Sequence, residues 1–577
     1  MKILKLNIII IIILASLMSS CEKVLDKTNL GTVSEDLVWD DVNLADAFVS
    51  RIYDRNLPTW NRGLSGRSDE SNGGEAFMYG QLTETSVNNW QYSQIREINI
   101  LLDNIDGGTI EQVDKDRMKG EAYFFRAWVY FEMIRDHGGV PLIINTLTLD
   151  DDLYPSRAKT SEVMEQIITD IDQAINLLPE ISASSGSNNG RVHKGTAMAI
   201  KGRILMYYAS PQFNPGQIND RWQASYNANK AAKDYLVSQG FGLYGDFPNI
   251  WMHEMNKEVI FVSRYEYPLK PEPTQWAAAT RPLDVSTGRS GGNQPSWEIV
   301  QAFPMKDGKN IEDPTSSYIY DVNYYWLNRD PRFYHTIVYN GARYELGMEG
   351  RIPGRIQWTW GGSEMNSPTQ TGFYCRKAID VNAAATFAFD SNVDFVSLRF
   401  AEVLLNLAES ANKVGNTDEA YEQLIALRAR AGIEPGPNNK FGLAEGMNED
   451  QMNQAILHER QIELAFENHR YWDLRRNRLF ENKFNGTRRH GLYSELIVTA
   501  NELYALQESM SATALIDHLS TNYTEYFRDS VMVIDNQFDI NWKPEYYFYA
   551  IHPDHIELNT NLKQTQGWSG GSFNPLE

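Results

Sequence analysis

The sequence predicts a mainly α-helical protein in which a scaffold of paired helices carries a large, loop-rich and partly irregular half. Three observations lead there. Apolar residues recur at spacings of three and four in segment after segment. Most of those segments are joined by short connections containing Gly, Pro or Asn. Residues 241–400 break the pattern, with frequent Gly, Pro, Asn and aromatic residues and only short apolar runs. At 577 residues, 42% hydrophobic and 22% charged, the chain can bury a sizeable core and does not read as disordered, coiled-coil or polytopic. Its balance of 53 basic and 75 acidic residues, net -22, argues against a nucleic-acid partner and fits a ligand that is uncharged or nearly so.

The elements follow in order. The N-terminus, MKILKLNIIIIIILASLMSSC, places Lys2 and Lys5 before an apolar run from Ile8 to Leu17. A membrane-spanning helix needs ~20 apolar residues, so this shorter run reads as the core of a secretory signal, residues 1–20. Ser19 and Ser20 directly before Cys21 resemble a bacterial lipobox, in which the cysteine is freed and acylated; the alternative is an ordinary signal peptide with an incidental cysteine. Acylation would hold the mature chain to a membrane. Cys375 would then stand alone, leaving no internal disulfide.

An amphipathic stretch covers 43–53, and 54–90, rich in Gly, Ser and Asn, reads as a long ordered surface loop. Helical period begins near Trp90 through Ile95, Ile98, Leu101, Leu102 and Ile105 and stops at Gly107-Gly108. The next helix is apolar on several faces, through Met118, Ala122, Phe125, Trp128 and Phe131, and ends at Gly138-Gly139. Thr160 or Ser161 is expected to cap the following one, up to Pro179. A linker spans 184–190, and helices are expected at 194–210 and 222–239. After the irregular region come 397–414, 417–431 and 449–467. The pair 402–432 fits the large and small positions of a tetratricopeptide unit through Leu404, Leu407, Ala408, Ala411, Ala420, Leu424 and Leu427. A generic helical hairpin is the plainer alternative.

Signatures of chemistry are sparse. No phosphate-binding glycine loop, dinucleotide fingerprint or G-x-S-x-G elbow occurs. His552, His555 and Glu557 have ligand-like spacing, but Pro553 is expected to break the helix a metal site would need. Asp150, Asp151 and Asp152 could hold Ca²⁺; a solvated acidic loop is the preferred reading, and no cofactor is expected. Cys375 reads as a structural or incidental thiol.

What rises above background is aromatic placement. Of 68 Trp, Tyr and Phe residues, Trp60, Tyr79, Trp90, Trp276, Tyr324, Tyr325, Trp326, Trp358 and Trp360 lie in loop-like segments among Gly, Asn, Ser and Gln. A flat ring can stack on a sugar face while neighbouring amides bond its hydroxyls. Most of these rings should pin loops to the scaffold, leaving a few as a ligand platform. The leading choice is Trp276, Trp358 and Trp360 with Tyr325 or Trp326; Trp60 and Tyr79 are further candidates.

Several segments resemble the RagB/SusD family of outer-membrane nutrient-binding lipoproteins of Bacteroidetes. They include GEAYFFRAWVYFEMIRDHGGVPL (120–142), PSRAKTSEVMEQIITDIDQAINLLP (155–179), GRVHKGTAMAIKGRILMYYASP (190–211), NKEVIF (256–261), PSWEIVQAFPMKDGK (295–309), RDPRF (329–333) and LRFAEVLLNLAESAN (398–412). HERQIELAFENHRYWDLRR (458–476) is the most specific, and YAIHPDHIELNTNLKQTQGW resembles the family's ending, with His552 where Pro is common and Thr565 where Asn is common. The resemblance implies an N-terminal helical region at 21–240 packed with a C-terminal region at 241–577. It implies a non-catalytic, cell-surface lipoprotein, anchored at Cys21 in the outer membrane, that passes oligosaccharide or polysaccharide to a TonB-dependent, SusC-like transporter barrel. Binding of peptides or another nutrient is the runner-up, and a glycoside hydrolase is a distant third. Glu459, Arg460, Glu463, Glu467, Arg470, Trp472, Asp473 and Arg475 would form a partly buried ion-pair network. No binding residue carries over, so the site expectation rests on the loop aromatics.

Overall fold

The computed structural model describes residues 35–577 except 62, 185–189, 287–291, 364–368 and 388–390. Cys21, its leader and most of the 184–190 linker lie outside the described residues. The longer helices follow the apolar periodicity closely: α1 Val42–Asn56, α2 Tyr92–Asn104, α3 Gln112–His137, α4 Thr160–Leu177, α5 Lys194–Ala209 and α6 Asn219–Ser238, then α7 Phe400–Lys413, α8 Thr417–Ala431, α9 Glu449–Glu463 and the short α10 Arg470–Arg476. No helix among the described residues is long and apolar enough to cross a membrane.

Helices α3 to α8 pack each on the next, α6 on α7 included, although 161 residues separate those two in sequence. This is the stacked-pair logic of a helical repeat array. The irregular half is therefore an insertion between neighbouring helices. Its two ends are tied by an antiparallel pair, β1 Val259–Ser263 with β2 Phe395–Arg399. A second antiparallel pair, β3 His490–Leu496 with β4 Phe527–Val533, covers the insertion from the C-terminal side. The buried apolar side chains divide the same way, one cluster within the helices and another within the insertion.

Helix α3 is apolar all round because α1, α2 and α4 pack against it on different sides. It ends where the Gly-Gly pair was expected to end it. Gly138 takes φ 74°, and a Cβ on Gly139 would stand 2.0 Å from the Ala158 carbonyl oxygen, so neither position accepts a side chain cheaply.

Three sequence expectations are corrected. The 54–90 segment is a surface loop only in part: its middle is buried, with Ser68, Asp69, Glu70 and Ser71 at most 2% exposed. Buried backbone needs partners, and Arg489 supplies them, donating to the carbonyls of Gly66 (2.6 Å), Ser71 (2.9 Å) and Gly73 (2.9 Å). Arg470 meanwhile pairs with Asp69 at 2.8 Å. Thr160 does not cap α4; its hydroxyl donates to the Pro575 carbonyl, and Glu162 accepts the Lys159 N–H instead. Pro553 starts a short helix, Pro553–Leu558, rather than breaking one, since a first-turn proline sacrifices no hydrogen bond.

The ion-pair network is fully buried. Glu463 sits among Arg332 (2.8 Å), Arg399 (2.6 Å) and Arg430; Glu467 meets Arg399 (2.7 Å) and Lys377 (2.5 Å); Glu459 meets Arg332 (2.6 Å) and Arg428 (2.7 Å). Glu258 joins Arg399 and Arg430, and Asp330 closes on Arg332. Five cations thus face five carboxylates. Burial alone would raise the Glu463 pKa, yet Arg430, Arg399 and Arg332 together hold it well below the carboxylate range. A neighbouring set, Asp473 with Arg460 and Arg476, and Glu409 with Arg476, fixes α10 to α7 and α9. Cys375 is buried beside the larger set, and burial pushes its thiol up to about 12, so it is inert.

Candidate functional site

Where α3, α5, β2, the 58–91 segment and the α9–α10 turn converge, they leave a cavity of about 400 Å³. Helical spacing builds its floor. Trp128, Glu132 and Arg135 stand four and three residues apart on α3, hence on one face, and Arg203 and Tyr207 do the same on α5. The turn after α9 brings Glu467, Asn468 and His469, α10 adds Tyr471 and Trp472, and Tyr549 comes from the C-terminal segment. Thr59 and Asn61 are exposed and mark the solvent side.

The lining mixes flat rings with polar groups that are mostly held in place. Arg135 lies over the Trp472 ring, its guanidinium carbon 3.4 Å from the centroid, a cation–π contact that sets both planes. Glu132 Oε1 is 2.6 Å from Arg135 but receives no well-aligned hydrogen bond, and Arg135 Nε has no acceptor among the described residues. Asn89 donates to Asp136 (2.9 Å) and to the Glu132 carbonyl (3.1 Å), while Gln91 donates to Asn89 (2.7 Å). Asp136 also meets Arg475 at 2.8 Å; burial would raise its pKa, but Arg475, His137 and Arg135 lower it below the usual value. Glu132 goes the other way, raised chiefly by burial. Burial brings His469 down to about 4, so it stands neutral beside Glu402, which is paired with Arg203.

The rings singled out in the sequence lie elsewhere. Trp276 stacks on Trp60 with centroids 4.5 Å apart and planes 13° apart, and Trp60 meets Phe395 edge-on; Phe395 is a wall of the cavity, so this stack stands behind it. Tyr325 and Trp326 meet each other at right angles, and Trp326 stacks on Tyr339. Trp358 packs on Phe527 and donates its Nε1 hydrogen to Gln507 (2.8 Å), while Trp360 lies against Gly362. All six are at most 8% exposed in the insertion's core, and among the described residues no ring contact joins Trp276 to Trp358 or Trp360. Tyr79 is equally buried, its hydroxyl donating to Asp535, but it borders a shallow surface hollow with Gln81, Asn485, Asn541 and the half-exposed Phe538.

Sequence reasoning missed Glu132, Arg135, Trp128 and Trp472 as site residues because each sits inside a segment that reads as scaffold. The available signal was polar: Glu132 interrupts and Arg135 ends the apolar run 127–134, at the spacing that shares a face with Trp128.

Comparison with known proteins agrees with this architecture. A family model described as the SusD family matches residues 249–568, and another, described as starch-binding associating with outer membrane, matches 22–206. A curated relative, SusD-like protein P2 of Formosa agariphila, is 24% identical over 67% of this chain and 69% of its own. Among solved structures, a SusD-like protein of Bacteroides fragilis superposes with a TM-score of 0.73 at 24% identity, covering 92% of this chain and 98% of that one. A SusD-like carbohydrate-binding protein of the same species gives 0.70 at 21%, covering 91% and 99%. With over half its length matched by one family model and the remainder of the fold in agreement, the chain belongs to the SusD/RagB family.

Proposed function

We propose that this chain binds a glycan nutrient without altering it and hands it to a TonB-dependent, SusC-like barrel. The observation that carries the reading is the cavity itself. Its volume is in the range of small-ligand sites, Trp128, Tyr207 and Trp472 supply apolar ring surface, and the amides of Asn61, Asn89 and Gln91 line it together with Glu132, Gln91 bonded to Asn89 and Asn89 to the Glu132 carbonyl. Saccharides offer that same alternation of apolar faces and hydroxyl edges. The relative described as carbohydrate-binding supports it.

Affinity electrophoresis across a polysaccharide panel, with a peptide control, tests the reading. Retardation by at least one glycan is expected, and Glu132→Gln or Gln91→Ala should each weaken it about five- to tenfold, the worth of one hydrogen bond to a well-placed group. Retardation by peptide alone would favour the other nutrient class. One observation favours a hydrolase: Glu132 and Asp136, one helical turn apart, have pKa values pushed in opposite directions. Product formed from a bound glycan on prolonged incubation, and lost in Glu132→Gln, would replace the non-catalytic reading.

Membrane attachment is proposed through acylated Cys21. Cys21→Ala should shift the protein from the membrane to the soluble fraction on cell fractionation; unchanged tight association would exclude that anchor.

A further inference from the structure

Among the described residues, the charged groups around the cavity form ion pairs, with one exception. Arg135 is paired with Glu132, Arg203 with Glu402, Asp136 with Arg475, and Glu467 with Arg399 and Lys377. Arg67, which closes the 3₁₀ turn Ser65–Arg67, also lines the cavity. Among the described residues no carboxylate lies within 4 Å of its guanidinium, and none of its side-chain N–H groups finds an acceptor. Its guanidinium carbon lies over the Phe77 ring, 5.7 Å from the centroid. The group is half-buried, and Tyr549, Tyr471 and Asp136 stand near enough to favour its charge without any of them bonding to it. Donors left unbonded in a half-buried lining are open to a ligand that supplies an acceptor. Arg135 adds to them, because its buried Nε hydrogen is also without an acceptor. Two guanidinium groups with unused donors therefore line one chamber.

Resting on the glycan reading above, we infer that the cavity selects a saccharide bearing an acidic group, a carboxylate or a sulfate ester, and that Arg67 is the residue that meets it. A guanidinium matches either anion with two parallel N–H donors. The chain's own net charge of -22 limits how acidic the ligand is. A densely charged polymer would be repelled on approach, whereas one acidic group on a mainly neutral chain is repelled little at physiological salt, where the screening length is about 8 Å. Within the half-buried chamber the contact with Arg67 is screened far less.

The test uses matched oligosaccharides on the full mature protein by calorimetry. One pair is a xylo-oligosaccharide carrying a single glucuronate and its unsubstituted form; the other is a monosulfated galacto-oligosaccharide and its unsulfated form. A neutral gluco-oligosaccharide is the fifth ligand. At least one acidic member should bind about tenfold or more tightly than its neutral twin. Arg67→Gln should erase that preference, bringing the acidic member's affinity to that of its neutral twin, and Arg67→Lys should keep part of it. Because the guanidinium makes no hydrogen bond to the protein, the Arg67→Gln melting temperature should match wild type; a drop would point to a structural role instead. Equal binding of acidic and neutral twins, or an acid preference that survives Arg67→Gln, overturns this inference and leaves glycan binding standing. Failure of all five ligands and of the polysaccharide panel overturns both. Recovery with the sulfated but not the glucuronate member, or the reverse, identifies which anion Arg67 meets.

Discussion

Arg399→Met is expected to lower the protein's stability by about 3–5 kcal/mol, the usual cost of leaving buried charge uncompensated. Arg399 is 1% exposed and reaches three carboxylates, Glu467, Glu463 and Glu258, at 2.6–2.7 Å. Removing it leaves four cations for five acids in a region closed to water. Urea denaturation should show the loss, with Arg399→Lys intermediate because it restores charge but not the fork that spans Glu463 and Glu467. The acid limb should move as well. Glu459, Glu463 and Glu467 are held below their ordinary values, burial being outweighed by neighbouring cations. Their stabilisation is therefore complete above the unfolded value of roughly 4.3 and is lost as pH falls through the folded values. With Arg399 gone, Glu463 and Glu467 titrate higher and acid unfolding should begin at a higher pH. A variant as stable as wild type at pH 7 would show that the network is dispensable to the fold.

How legible this was in the sequence depends on the range of the interaction. Helices α2 to α9 were readable because their signal is local: apolar period, and glycines such as Gly107-Gly108 and Gly138-Gly139 where a helix stops. The insertion's existence was readable from lost periodicity. That it closes into its own core was not, since Trp60 finds Trp276 across the whole of α2 to α6, and Trp297 finds Phe373 across more than 70 residues of irregular chain. The few loop aromatics chosen as a platform read as exposed because their neighbours are polar; they too are buried, with Arg281, Arg329 and Arg489 satisfying backbone carbonyls around them. The cavity was the least legible part. Its walls come from six separated segments, and Arg67 differs from the neighbouring arginines only in what it fails to touch.

Trp276→Ala is expected to separate packing from recognition. The indole is 2% exposed, stacks on Trp60 and donates to the Lys377 carbonyl at 3.3 Å, while the backbone N–H of Trp276 donates to the Glu272 carboxylate at 2.7 Å. Truncation removes the ring, leaves the Lys377 carbonyl without that donor and opens a void that the rigid Trp60 and Phe395 cannot fill, a change worth about 3–5 kcal/mol. Lys377 belongs to the buried charge network, so part of the disturbance should reach Glu467. Glycan affinity, measured on the fraction that remains folded, should stay within about threefold of wild type, because Phe395 stands between the stack and the chamber. Glu132→Gln should behave in the opposite way, with weakened binding and little loss of stability. If Trp276→Ala instead abolished binding while melting normally, the ligand would have to contact the insertion's aromatic core, and the site would move there from the cavity between α3 and α10.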